Sequence, residues 1–367
     1  MKTSVLIIGG GLAGLTAARF LHQAGIGFHL LEARDRLGGR ILSTDAAGEV
    51  SDDGFDLGPS WFWPGMQSAM NYLVGELGLR YFPQHSDGDI VFQRMHSQTP
   101  ERFQGIRQVP ESMRLHGGIG AIVSVLAAAL PKDNIQLGSR VTHATLNEAG
   151  AEVCFVNAEG MTQRIEATYV LFALPPRLLE ATVEFSPALD AATARNWRDT
   201  PTWMAPHAKF FALYDRPFWR EAGLSGTAQS MVGPLSEIHD ATTASGKAAL
   251  FGFVGILIRQ REKVGRDAII EASIQQLAQL FGPEAGRPHA TLYKDWASDS
   301  LTATADDGEA GGHPIPRGLA SVPGKWNNRI WLAGSEAGRR DAGYLAGAVE
   351  AAEYAVMQIM NKVEAAS

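Results

Sequence analysis

One cysteine, Cys154, stands in 367 residues, so an intrachain disulfide framework and a cysteine metal site are both excluded. A reducing, cytoplasmic setting is the expectation that follows. Long apolar runs are missing as well: the longest, Ile119 to Leu130, is too short to span a bilayer and stops at Pro131. The basic, then apolar N-terminus is interrupted by glycines and lacks a small-residue cleavage site, so it reads as a first strand and not as a leader. No membrane tail is expected after the C-terminal helix. Dense basic clusters are absent, and the net charge of -7 is spread along the chain, which argues against nucleic acid or an anionic membrane as partner. The ten histidines are scattered, with no HExxH pair, and neither a GxSxG elbow nor a GxxxxGK[ST] loop occurs. Metal-dependent hydrolysis, serine-nucleophile hydrolysis and P-loop phosphate chemistry therefore have no support, and no metal is expected.

What is present begins at the first strand. Val5-Leu6-Ile7-Ile8 runs into Gly9-Gly10-Gly11-Leu12-Ala13-Gly14, then a helical apolar pattern, then Leu30-Leu31-Glu32-Ala33-Arg34. A strand, a glycine turn, a helix and a second strand ending in an acid form a βαβ dinucleotide-binding unit. Gly9 permits the tight turn, Gly11 lets backbone approach a pyrophosphate, and Gly14 lets the helix pack closely on the strand. The phosphates are expected at the helix N-terminus, where N–H groups and the dipole favour negative charge. Glu32, eighteen residues past Gly14, is placed to accept hydrogen bonds from an adenosine ribose.

A second glycine turn, Gly38-Gly39, lies among Arg34, Arg36 and Arg40 and reads either as a diphosphate contact or as a solvated basic loop. Trp61-Phe62-Trp63, between Pro59 and Pro64, is a pocket wall or a hydrophobic plug. Residues 66 to 111 suggest a helix and irregular segments. Alternating patterns predict strands at 135–137, 141–146 and 152–156, and a fully apolar buried strand at 169–173 that Pro175-Pro176 ends. Further strands are expected at 207–215, 248–256 and 329–334, with helices at 267–281 and from about Gly343 onward. Both ends of the chain then contribute to one nucleotide-binding sheet.

Taken in order, these segments resemble the flavin-containing amine oxidases. The turn Gly9 to Gly14 with Glu32 to Arg40 resembles that family's FAD signature, and Gly38-Gly39-Arg40 favours FAD over NAD. Ala173-Leu174-Pro175-Pro176, Ala208-Lys209-Phe210-Phe211, Ala333-Gly334-Ser335-Glu336 and Gly343 to Ala351 match further family segments. The resemblance implies an α/β fold: a doubly wound, Rossmann-like FAD-binding domain with an inserted α+β substrate domain. The expected boundaries are 1–60, 116–180 and 313–367 for the FAD domain, and 61–115 and 181–312 for the substrate domain. Gly9, Gly11, Leu12, Ala13, Gly14, Glu32, Ala33, Gly38 and Gly39 would cradle the nucleotide. Arg34 and Arg40 would lie near diphosphate and isoalloxazine, and Val141 would contact adenine through its backbone. Gly334, Ser335 and Glu336 would sit by the diphosphate and ribityl chain, while Ala348 and Val349 would aim N–H groups at the flavin pyrimidine, where negative charge grows on reduction.

The resemblance also implies a catalytic set. Lys209 would hold a water near flavin N5, Tyr344 would be one wall of an aromatic cage, Trp296 would lie beside the ring, and Trp61 would line the substrate pocket. Covalent-flavin members carry a cysteine and then a second cage tyrosine after the tryptophan; counting from Trp296, those places fall at Ala305 and Asp306, so noncovalent FAD and a single cage wall are expected. Asp306 or Asp307 is either a ligand for a distal ammonium or part of a solvated Thr302–Gly312 loop. No arginine for a substrate carboxylate occurs at Gly58-Pro59-Ser60-Trp61, which weighs against an amino acid substrate. The implied activity is oxidation of a small amine with hydride transfer to N5, giving an imine, and reoxidation by O2 or another acceptor. The alternatives are a flavin-dependent dehydrogenase or desaturase of a non-amine, and a flavin-dependent isomerase.

Overall fold

A computed structural model describes residues 2–106, 108–308, 312–317 and 320–366. Two sheets organise it. In the first, the strands run in the order Glu184–Ser186, Arg140–Asn147, Gly150–Val156, Thr162–Phe172, Lys2–Ile8, Phe28–Leu31 and Ile135–Gln136, and Ile330–Leu332 pairs with Thr162–Phe172. Lys2–Ile8 is parallel to both of its neighbours, as a βαβ unit requires. Its side chains alternate between two cores. Val5 and Ile7 pack with the helices Leu12–Gln23 and Leu345–Ala366, whereas Leu6 and Ile8 pack with Phe155, Trp197 and Trp326. Both faces are covered, which explains an unbroken apolar run where a half-exposed strand would alternate.

The strand expected at 169–173 is longer, Thr162–Phe172. Its second half is the buried parallel strand, and its first half pairs antiparallel with Gly150–Val156. The first sheet extends past residue 180: Glu184–Ser186 pairs with Arg140–Asn147, and Trp197 lies in the same core. A three-residue strand carries no periodicity from which to place it. The terminal helix starts at Leu345, two residues beyond Gly343.

The second sheet runs Ala290–Asp295, Ala208–Tyr214, Ala248–Val254, Leu235–Asp240, Leu224–Ser230, Asp89–Gln93 and Glu101–Phe103. Phe210, Ala212, Ile238 and Leu250 face the helix Arg266–Phe281, burying Ile269, Leu277 and Leu280 against it. Lys209, Phe211 and Phe251 face the other way, toward the loop at Phe55 and Leu57. The strands Asp89–Gln93, Glu101–Phe103, Leu224–Ser230 and Leu235–Asp240 fall in stretches whose pattern suggested none.

The close approach expected at Gly14 is present: a Cβ there would fall 1.9 Å from the Gly9 carbonyl oxygen, so the helix could not sit where it does. Gly75, exposed in the helix Ser68–Glu76, has open space instead. Gly14→Ala is therefore expected to lower stability by about 1–3 kcal/mol through overpacking, and Gly75→Ala to raise it by about 0.5–1 kcal/mol through helix propensity. Urea unfolding of the two variants beside the parent checks both signs.

Candidate active site

A cavity of about 670 Å³ opens where the two sheets meet. Its first-sheet side is made by Gly9, Gly11, Leu12, Ala13, Glu32, Ala33, Gly38, Gly39 and Val141. A Cβ at Gly11 would meet nothing nearer than the Gly38 carbonyl oxygen at 3.7 Å, so what this glycine leaves clear is the cavity. The helix Leu12–Gln23 has no side-chain cap and no acid in its first turn, so its terminal N–H groups stay available to an anion. The Glu32 carboxylate is buried and accepts from Gly10 N–H at 2.6 Å and Arg34 N–H at 2.8 Å, which fixes it at the end of the second strand. Gly14 itself is packed against Gly9 and stands behind this surface.

The three arginines have separate roles. Arg40 donates to Glu336 at 2.6 and 3.1 Å, to Ser335 Oγ at 3.1 Å and to the Trp203 carbonyl at 2.9 Å, while Glu336 is fully buried. Arg34 lines the cavity, but its Nη1 donates to both carboxylate oxygens of Asp299 at 3.0 Å and its Nη2 to Thr302 Oγ at 2.9 Å. Arg36 donates to the carbonyls of Leu37, Gly39 and Ile41, holding the second glycine turn in shape. The glycine-and-arginine loop is thus a self-braced turn and not a solvated one. Gly334, Ser335 and Ala348 line the cavity. The Ala348 N–H bonds the Tyr344 carbonyl, and Val349 is buried one residue further into the helix, so the unpaired N–H groups expected there belong to the first turn from Leu345.

The second-sheet side carries Lys209. It is fully buried, yet its Nζ donates to the carbonyls of Asp56 at 3.1 Å and Gly58 at 2.7 Å and to Ser60 Oγ at 2.8 Å, and it lies 4.5 Å from the Phe251 ring centroid. All three N–H directions of an ammonium are matched by protein oxygens, so a water held by Lys209 takes a direction that Ser60 occupies here. Burial lowers the Lys209 pKa to about 7, with Arg114 adding to the effect and Asp56 opposing it. Burial also raises the pKa of Asp56, whose Oδ1 accepts from Ser43 and from Ile119 N–H.

An aromatic wall lines the same cavity. Tyr344 stacks on His313 with centroids 3.9 Å apart and planes 6° apart, His313 stacks on Trp203 at 3.7 Å, and Trp63 meets Tyr344 edge-on at 6.2 Å. His207 adjoins Trp203 at 4.7 Å. The single cage wall expected from Tyr344 is therefore one member of a column, and His313 and Trp203 are the residues that sequence reasoning missed. Burial pushes the His313 imidazole down to about 4, helped by His207, and lowers His207 as well, helped by Arg261 and Lys209. His207 Nε2 and His313 Nδ1 are buried without a hydrogen-bond partner among the described residues. Met204, in the same wall, has a φ of 74°, a left-handed backbone uncommon for a side chain of its size.

One expectation is corrected, and one open alternative is narrowed. Trp296 is fully buried, donates from Nε1 to the Leu57 carbonyl at 2.9 Å and does not line the cavity, so its role is to support the 56–60 loop from behind. Asp307 is buried and accepts from Arg177 at 2.5 Å and from Thr304, and neither it nor Asp306 lines the cavity. The 302–312 stretch is thus partly a braced turn; its residues 309–311 lie outside the described residues. Trp61 does line the cavity, fixed by its Nε1 bond to Gln84 Oε1 at 2.8 Å.

A glycine turn, a buried acid and two helix starts around one cavity, closed by a second sheet, define a dinucleotide-dependent oxidoreductase architecture. The model of the flavin containing amine oxidoreductases matches residues 12–114 and 95–360. The chain belongs to that family, and FAD is its cofactor. It is 29% identical over 265 residues to an L-amino acid dehydrogenase of Synechocystis, a match spanning 69% of this chain and only 52% of that protein. It is 24% identical to a probable flavin-containing monoamine oxidase A of Dictyostelium discoideum over 98% of each chain. In fold it is similar to putrescine oxidase bound to putrescine (TM-score 0.82, 22% identity, 98% and 99% of the two chains) and to cyclohexylamine oxidase from Brevibacterium oxydans (TM-score 0.81, 20% identity, 99% of each).

Lys209 provides a test of this geometry through pH. The folded state binds its proton less tightly than the unfolded chain does, so between about pH 7 and the ordinary lysine value of 10.5 the unfolded state carries more protons and stability rises with pH. The stability of the parent relative to Lys209→Met is expected to increase from pH 7.5 to pH 9.5. Parallel denaturant curves at the two pH values measure it.

Proposed function

We propose that the protein oxidises the C–H bond beside the nitrogen of a small amine, releasing an imine that water hydrolyses. The observation that carries this reading is the single cavity joining the nucleotide-binding turns to Lys209 and to the Tyr344–His313–Trp203 column. FAD, when bound, would supply the hydride acceptor at N5 and a route for the electrons to O2, with hydrogen peroxide as product, or to another acceptor. Glu32 would hold the adenosine ribose, the start of the helix Leu12–Gln23 would receive the diphosphate, and the start of the helix Leu345–Ala366 would meet the flavin pyrimidine. Tyr344 and its column hold a neutral nitrogen without supplying a carboxylate that would keep it protonated. Lys209 acts through the 56–60 loop and through a water admitted when Ser60 turns aside.

The binding is noncovalent: Cys154 lies in the strand Gly150–Val156 and is not among the residues lining the cavity. An amine is favoured over an amino acid by the state of the cations. Arg34 and Arg40 are already paired to Asp299 and Glu336, and Lys209 is bonded to carbonyl groups, which leaves a substrate carboxylate without a partner on this side of the cavity. No helix of the described residues is long and apolar enough to cross a membrane; a cytoplasmic location belongs to the same proposal.

Anaerobic mixing with primary, secondary and diamine panels is expected to bleach the flavin with one amine class, and colour and peroxide are expected to return in air. Bleaching by none of them, with a flavin that dithionite reduces, would sink the reading. Lys209→Met is expected to slow anaerobic flavin reduction by about 100-fold, the lower end for a positioned proton-handling group, and stopped-flow absorbance reads it. Acid precipitation is expected to leave FAD in the supernatant; a yellow pellet would refute noncovalent binding.

A further inference from the structure

The geometry points to a cofactor-retaining strap: residues 299–307, buckled at each end to elements of the first sheet, close over bound FAD, which enters or leaves only when the buckles open. This rests on the noncovalent binding proposed above and assigns the side chains that retain the cofactor. The segment follows the edge strand Ala290–Asp295 of the second sheet, yet arginines from the first sheet fix it. At its start, Arg34, just past the strand Phe28–Leu31, donates from Nη1 to both Asp299 carboxylate oxygens at 3.0 Å and from Nη2 to Thr302 Oγ at 2.9 Å. At its end, Arg177, in the helix Pro176–Thr182, donates to Asp307 Oδ1 at 2.5 Å and to the Asp306 carbonyl at 3.2 Å. Both carboxylates are buried, with side-chain exposures of 8% and 3%. Between the buckles, Ser300, Leu301 and Thr302 line the same cavity as Gly11, Glu32 and Val141.

Little else attaches this segment to the rest of the molecule. Among the described residues, its backbone-to-backbone hydrogen bonds stay within 296–307, as in Thr302 and Ala303 N–H to the Asp299 carbonyl at 2.8 Å and Asp307 N–H to the Thr304 carbonyl at 3.1 Å. None of its residues belongs to an apolar core. A segment with so few buried apolar contacts opens locally at a cost that its polar attachments set. The two aspartates also organise their own turns: Asp299 accepts from Leu301 N–H at 3.1 Å, and Asp307 from Thr304 N–H at 2.9 Å and Thr304 Oγ at 3.0 Å. The turns therefore keep their shape when the arginines let go. Asp299 keeps a cation as well, because Lys294 Nζ, on the strand that leads into the strap, donates to it at 2.9 Å. Opening at that buckle thus leaves no buried charge without a partner, the term that makes most buried ion pairs costly to separate.

The test follows exchange of bound FAD for radiolabelled FAD in excess, on the parent holoenzyme and on Asp299→Asn, Asp307→Asn and Thr302→Val, with flavin content and Tm recorded. Asp190→Ala, which removes a helix cap that does not line the cavity, is the control for general loss of stability. Exchange is expected to quicken about tenfold or more in the two aspartate variants, as loss of a hydrogen bond to a charged group predicts. Thr302→Val is expected to quicken it by less, and Asp190→Ala not at all. Chymotrypsin cleavage after Leu301 in the holoenzymes is expected to rise in the same order. Exchange unchanged in the folded strap variants, or quickened as much by Asp190→Ala as by them, overturns the strap. If neither aspartate variant folds, Thr302→Val decides, since it keeps both carboxylates, and parent-like exchange in it overturns the strap. FAD that stays with acid-precipitated parent protein overturns noncovalent binding and the strap with it, whereas exchangeable FAD indifferent to the variants overturns the strap alone.

Discussion

The ion pair between Arg40 and Glu336 is the joint on which the site depends. Glu336 is fully buried, a position a carboxylate holds only with a partner, and Arg40 supplies a bidentate one at 2.6 and 3.1 Å. The same guanidinium reaches the Trp203 carbonyl, so one side chain ties the second glycine turn, the C-terminal turn and the segment leading into the second sheet. Removing one partner would strand a buried charge at a cost of about 3–5 kcal/mol, a large fraction of the stability of an ordinary domain. Three stretches distant in the chain are thereby held in the register that makes a cavity between two sheets.

Lys209 does for the second sheet what Arg40 does for the first. Its ammonium crosses from the strand Ala208–Tyr214 to the 56–60 loop and meets three oxygens there, while Trp296 supports the same loop from behind through Leu57. The loop is therefore fixed by side chains from a sheet that lies more than a hundred residues away in sequence. Trp61, the next residue in the chain, walls the cavity, so positioning of substrate-facing groups and stability of the inter-sheet junction share the same contacts.

Features legible in the sequence are those that backbone geometry enforces locally. Gly9 and Gly14 permit a turn and a contact that a Cβ would block, and Val5 to Ile8 form a run without alternation because both faces are covered. Lys209 was legible through its flanking residues. The strands Leu224–Ser230 and Leu235–Asp240 were not, because their inward positions include Ser225, Ser230 and Asp240 and their registers shift, so apolar alternation is broken. Trp296 was placed at the site by position in the chain, whereas the structure turns it to Leu57; Asp307, left open between a ligand and a solvated loop, is turned to Arg177. His313 and Trp203 left no local signal, since a stack between residues more than a hundred positions apart has no period. Their one trace was an aromatic and an imidazole in otherwise unpatterned loops.

The charges of the cavity explain why these parts favour a nitrogen at its reacting end. Three cations there are paired or depressed: Arg34 by Asp299, Arg40 by Glu336, Lys209 by burial. The same burial lowers the pKa of the His207 and His313 imidazoles. An environment that lowers the pKa of its own amine and imidazoles does the same to a bound amine, because the cost of a desolvated positive charge does not depend on whose charge it is. Hydride departure needs the nitrogen lone pair, so this desolvation prepares the reacting end. The opposite requirement, a charge by which to capture an ammonium from water, cannot be met at the same point.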